Sequence, residues 1–140
     1  MPIQITYSDK GVGSIVTGSG KVTEKEYLDF YRKYLSQDGA TLHKHRYNLT
    51  DWLEVTMVDI SAEAISEIAI LSKRAAEIDP GCVTAIVASE DFIYGLSRMW
   101  EIQSSDTEST VMVFRERAEA EAWIRQQVEA RYGITNLTFD

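Results

Sequence analysis

Apolar residues in this chain recur with two different periods, and the switches between them divide it into elements. Ile3 to Tyr7 and Val12 to Thr17 are short apolar-rich runs separated by Asp9-Lys10-Gly11, a turn signal, so they predict a β-hairpin. Gly18-Ser19-Gly20 is expected to end the second strand. Thr23-Glu24-Lys25-Glu26 then reads as a capping box, with Thr23 as N-cap and Glu26 at the third helical position. Tyr27, Leu28, Phe30, Tyr31, Tyr34 and Leu35 follow at helical spacing and give that helix an aromatic-rich face. Gln37-Asp38-Gly39 closes it.

Arg46 to Asp51 predicts a third strand, and Trp52 to Val58 a loop leading to Asp59-Ile60-Ser61. The longest helix is expected from about residue 62 to residue 78, with Ala64, Ile68, Leu71, Ala75 and Ile78 as its stripe and Ile65 and Ala69 beside it. Asp79-Pro80-Gly81 is a stop signal. Val83 to Ala88 is apolar without alternation, as in a central parallel strand covered on both faces. Ser89-Glu90-Asp91 opens a helix carrying Phe92, Ile93, Leu96, Met99 and Trp100. Thr110 to Phe114 predicts the next strand. A last helix runs from about Arg117 to Arg131 with Ala120, Trp123, Ile124 and Val128 inward, and Gly133 ends it.

The resulting order, β-β-α-β-α-β-α-β-α, predicts an α/β fold: a mostly parallel sheet with right-handed crossovers and an antiparallel first strand at one edge. No repeat, linker or low-complexity segment interrupts the 140 residues, which are read as one domain with its core at about 3–131 and a tail at 132–140.

Composition narrows the function. At 44% hydrophobic and 26% charged residues the chain is ordinary for a globular domain that folds without a metal or disulfide. The single cysteine, Cys82, lies in an apolar run and reads as a buried thiol. A net charge of −8 without any Lys/Arg run argues against nucleic acid and anionic membrane surfaces as partners. Residues 1–8 have no signal-peptide character and no stretch is long and apolar enough to cross a membrane, so a cytoplasmic location is expected.

Candidate chemistry is sparse. His43-Lys44-His45 has metal-chelating spacing, but no third histidine exists, and solvated loop histidines are the reading adopted. Gly18-Ser19-Gly20 lacks the lysine and hydroxyl residue of a phosphate loop. Gly95, inside a predicted helix, suggests close packing, and Arg98 either pairs with Glu101 or binds an anion in a groove. Asp51, Asp59, Glu90 and Asp91 sit where ligand sites gather in α/β folds, but also where acids cap helices, and capping is the reading adopted. No Ser-His-Asp or Cys-His set can be assembled from the sequence, so no catalytic, metal or cofactor site is expected.

Several segments together resemble a known family: Ala85-Ile86-Val87-Ala88, then Tyr94-Gly95-Leu96-Ser97-Arg98-Met99-Trp100-Glu101, then Val111-Met112-Val113-Phe114-Arg115, then Glu119-Ala120-Glu121-Ala122-Trp123-Ile124. Over about residues 10–125 the chain is similar to the bacterial SpoIIAA-like proteins. The resemblance implies the STAS-like fold of anti-sigma-factor antagonists, an architecture related to CRAL-TRIO lipid-binding domains. Val55-Thr56-Met57-Val58-Asp59-Ile60-Ser61 resembles the antagonist segment in which a strand leads to an Asp-Ser-Ser-Gly helix start whose second serine a partner kinase phosphorylates. Asp59 falls on the aspartate and Ser61 on that serine, whereas Ile60 replaces the first serine and Ala62 the glycine.

The expected function is therefore a non-enzymatic regulatory domain that acts through a protein partner, with Ser61 (beside Asp59) as phosphorylation candidate. The alternative is a domain binding a small hydrophobic molecule or lipid, with Tyr31, Tyr34, Phe92, Arg98 and Trp100 as cleft candidates and Tyr27 and Phe30 on the same aromatic face. The surplus of aromatic residues and the broad apolar face of residues 62–78 also suggest a homodimer.

Overall fold

The computed structural model describes residues 3–36, 44–78, 81–91, 93–95, 98 and 110–140. Its strands are β1 (Ile3–Ser8), β2 (Gly13–Thr23), β3 (Tyr47–Asp59), β4 (Val83–Val87) and β5 (Thr110–Phe114). Its long helices are α1 (Glu24–Leu35), α2 (Ala62–Ile78) and α3 (Arg117–Tyr132). Asp91, residues 93–95 and Arg98 are also helical, where the third helix was expected; Phe92, Leu96, Met99, Trp100 and Glu101 lie outside the described residues.

The five strands lie in sequence order, with β1 antiparallel to β2 and every later pair parallel. The antiparallel edge and the parallel body are those predicted. Because each crossover advances by one strand in the same direction, the intervening helices collect on one face. There Tyr27 and Leu28 of α1, Ile68 of α2 and Ile93 pack against Val16, Trp52, Val55, Ile86 and Val113. After β5 the chain returns on the other face, where Ala120, Ile124 and Val128 of α3 cover Ile15, Tyr47, Leu49, Val83, Ala85 and Val87. β4 sends Ile86 into one core and Val83, Ala85 and Val87 into the other, which explains why Thr84 is its one polar residue.

Local signals correspond closely to the elements. The capping box is formed, with Thr23 accepting from the Glu26 amide and the Glu26 side chain accepting from the Thr23 amide. Gly133, left-handed at φ 68°, ends α3.

Three expectations are corrected. Trp52 to Val58 is strand, and β2 continues through Gly18-Ser19-Gly20 to Thr23. The two strands stay paired to Thr23 and Asp59, through register shifts between Thr17 and Ser19 and between Gly20 and Lys21. A side chain at position 18 would run into the Trp52 ring, and Gly20 has φ 64°, so these glycines serve a bulged strand instead of stopping one. Residues 134–140 are tied down: Leu137 and Phe139 are buried in the α3-side core. Gly95 is exposed, and a Cβ there would meet open space among the described residues.

Candidate functional site

The register of β2 against β3 builds the candidate site. The strands are parallel and end level, Thr23 opposite Asp59, and each feeds a helix almost at once. The N-termini of α1 and α2 therefore lie side by side, and their partial positive charges gather at one end of the ribbon. Ser61 caps α2: its Oγ accepts from the Ala64 amide at 3.2 Å and its carbonyl accepts from the Ile65 amide at 3.0 Å. The Ser61 amide donates to Glu24 Oε1 at 3.2 Å, which ties the two helix starts together. Ser61 is exposed. Asp59 is also exposed and lies 3.7 Å from Lys21 Nζ across the ribbon.

β3 reaches past its neighbour β4, whose pairing stops at Asp51. From Trp52 to Asp59 the described residues show β2 on one side only. The inner side chains of this overhang, Trp52 and Val55, are buried, while Leu53 and Met57 are among the large apolar side chains that stay exposed.

The other predicted residues are dispersed. Tyr31 packs edge-on to Phe30 and beside Tyr27, and its hydroxyl donates to Ser72 of α2 at 3.3 Å. Burial pushes the Tyr27 and Tyr31 hydroxyls up from the usual tyrosine range, so both stay neutral, and Tyr31 fastens α1 to α2. Tyr34 is half-buried near the end of α1, and Arg98 is exposed on the helical segment. Phe92 and Trp100 lie outside the described residues. Three of the four acids expected to cap helices make side-chain ion pairs, while Glu90 stands at the start of its helix. Asp51 accepts from Arg117 at 3.1 Å and from the Leu53 amide at 2.9 Å, Asp91 pairs with Arg115 at 2.7 Å, and Asp59 pairs with Lys21. Glu90 contributes its backbone carbonyl, which accepts from the Tyr94 amide. Arg117 also donates to Glu121 at 2.9 Å. Burial alone would favour its neutral form, but the two carboxylates outweigh that and raise its pKa.

The histidine reading is overturned at one position. His43 lies outside the described residues, but His45 is fully buried. Its Nε2 is 2.8 Å from Ser14 Oγ and its Nδ1 is 3.8 Å from Cys82 Sγ. Asn48 Nδ2 donates to the same Ser14 Oγ, and Thr50 donates to Asn48 Oδ1. The fold thus assembles the cysteine–histidine and serine–histidine contacts that spacing could not reveal, because they join positions 37 and 31 residues apart. Both ends are buried. The row satisfies polar groups within an apolar interior, as buried polar groups require. Cys82 itself is buried, as expected. Among the described residues no group of three or more His, Cys, Asp or Glu side chains could hold a metal ion, and no helix is long and apolar enough to cross a membrane.

No protein-family model matches the chain, and no curated protein matches it in sequence. A solved structure does: an uncharacterised protein of the DUF3478 family from Shewanella loihica PV-4, described as having a SpoIIAA-like fold. It superposes with a TM-score of 0.56 at 17% identity, over 87% of this chain and 91% of that one. With a sheet of one antiparallel and three parallel strand pairs and helices on both faces, this chain has the SpoIIAA-like α/β fold.

Proposed function

We propose that this is a non-enzymatic regulatory domain that binds a protein partner at the α1/α2 end of the β2–β3 ribbon, with Ser61 as the residue that controls binding. The observation that carries this reading is the position of Ser61: exposed, capping α2, and joined to α1 through Glu24 where two helix N-termini meet. A phosphate on Ser61 would bring close to two negative charges to the positive ends of two helices. The fold tolerates that charge, while the exposed Asp59 and the half-buried Glu24 beside it make the surface strongly repulsive to an acidic contact. The switch then lies in binding rather than in folding. A hydrophobic-ligand cleft along α1 is less favoured, because the ring and hydroxyl of Tyr31 are engaged by Tyr27, Phe30 and Ser72.

The test places a photo-crosslinking amino acid at Glu63, exposed in the first turn of α2, in cells that make the protein. A protein adduct that forms with wild type and Ser61→Ala and is lost with Ser61→Asp supports the reading, as does phosphate found on Ser61. Absence of any adduct, or an adduct equal in Ser61→Asp, overturns it.

A further inference from the structure

Residues 134–140 form neither helix nor strand, and side chains of other elements hold them in place. Asp9, in the turn between β1 and β2, accepts the Thr138 amide at 2.8 Å, the Thr138 hydroxyl at 2.9 Å and the Phe139 amide at 3.1 Å. Its own amide donates to the Asp140 carbonyl at 2.8 Å. From α3, Arg125 Nε donates to the Leu137 carbonyl at 3.3 Å, and the guanidinium lies over the Phe139 ring, 4.9 Å from its centroid. Leu137 and Phe139 share a buried cluster with Ile15 and Tyr47. The segment is thus bound as a separate peptide would be, by an apolar seat and by a carboxylate that takes two successive amides and a hydroxyl.

The backbone shows what this closure costs. Among the described residues the non-glycine positions with positive φ are Asp9 (50°), Lys10 (58°), Asn136 (63°) and Phe139 (62°). Two lie in the turn that grips and two in the segment gripped. Asn tolerates the left-handed region, whereas a bulky ring there is an outlier. Such angles persist only where surrounding contacts impose them, and they gather at clamps and switches. Gly133, at φ 68°, adds a reversal directly after α3. Gly133 and Asn136 together turn the chain from the end of α3 back to Asp9. A segment not joined to α3 need not adopt either angle.

We propose that residues 134–140 are a displaceable strap: they close in cis a peptide-binding seat formed by Asp9, Tyr47 and Ile15. From a partner protein this seat takes an extended segment that reads apolar, then Ser or Thr, then aromatic at successive positions. The seat survives opening, because the Tyr47 hydroxyl, 2.5 Å from both Ser8 Oγ and Asp9 Oδ2, still holds the carboxylate. The sheet survives as well, since its strand pairings do not run through 134–140. A tethered segment is present at an effective concentration on the order of millimolar, so the strap resists weak competitors and yields to a better fit. The seat lies at the Gly13 end of β2 and Ser61 beyond its Thr23 end, so this contact is separate from the one at Ser61.

The experiment follows fluorescence anisotropy of a labelled peptide with the sequence of residues 134–140, added to full-length protein. In the chain variant Phe139→Ser, the strap is weakened while Asp9, Tyr47 and Ile15 stay in place. The peptide is expected to bind it about ten-fold tighter than wild type, because the competitor in cis is removed. Adding Asp9→Asn to that variant should weaken binding about ten-fold. Thr138→Ala, which removes only the hydroxyl bond to Asp9, repeats the comparison with a gain of about three-fold and keeps the test open should Phe139→Ser fail to fold. In wild type, about 1 mM unlabelled peptide should speed hydrogen exchange at the chain's own 138 and 139 amides and leave those of β4 unchanged. Strap amides that exchange only together with β4, binding no tighter in either strap variant, or binding that survives Asp9→Asn overturns the proposal. So does a concentration-dependent dimer in sedimentation, which would give the seat to a second copy.

Discussion

The hydroxyl of Tyr47, at the start of β3, donates to the carboxylate of Asp9 at 2.5 Å, and the same carboxylate holds the last residues of the chain. The Thr138 amide and hydroxyl donate to Asp9 Oδ1 at 2.8 and 2.9 Å, and the Phe139 amide donates to Oδ2 at 3.1 Å. Phe139 then stacks edge-on against the Tyr47 ring, 5.2 Å between centroids. One acid in the first turn thus fastens the two ends of the sequence over the α3-side core. Burial works against the charge on Asp9, but the donors outweigh it and lower its pKa below the ordinary 3.8. With a folded pKa below the unfolded one, Asp9 stabilises the fold above about pH 4 and loses that contribution as pH falls through its folded value. Asp9→Asn should cost about 2 kcal/mol at neutral pH and flatten the acid limb of the stability curve. Urea unfolding at several pH values, with hydrogen exchange at 137–140, checks both.

Ser61→Ala removes the side-chain cap of α2 and should cost about 1 kcal/mol, whereas Ser61→Asp should be nearly neutral because Asp also caps. Thermal unfolding of the two variants separates this structural role from the control of binding: the binding proposal requires that Ser61→Asp keep its stability and lose its partner.

Gly13 lies in β2 where a Cβ would run into the Tyr47 ring. Tyr47 is fully buried and tied at its hydroxyl to Ser8 and Asp9, so it cannot move aside cheaply. Gly13→Ala is expected to cost about 3 kcal/mol. Gly20→Asn, at a left-handed position with open space around the Cβ, should cost under about 1 kcal/mol. A midpoint shift of equal size in the two variants would refute the steric account.

His45→Ala should cost about 3 kcal/mol, since it opens a cavity and strips Ser14 of a buried partner. His45→Gln, which can still reach Ser14, should recover part of that loss. Solvated histidines would show neither effect in chemical denaturation.

Arrangements made within a few residues were legible before any coordinates. The capping box at Thr23 and Glu26, the helix at 62–78, the mostly apolar run of β4 and the stop at Gly133 each depend on neighbours one turn or one strand away. Such patterns also imply the order of elements, and with it the mostly parallel sheet. Ser61 was legible as a cap for the same reason: its hydroxyl bonds an amide three residues on.

What tertiary structure decided depends on strands that meet from far apart. Trp52 to Asp59 carries mixed polar and apolar residues without clean alternation, because bulges break the period of two; only pairing with β2 makes it strand. His45 lies just before β3, and nothing near it in sequence announces the Ser14 and Cys82 that enclose it. The tail is short and weakly patterned on its own, and becomes ordered because Asp9 and Tyr47 stand where its amides and rings can reach. Local chemistry sets which segments are helix or strand over short range. Register between distant strands sets which side chains meet, and so where the buried histidine and the doubled helix ends lie.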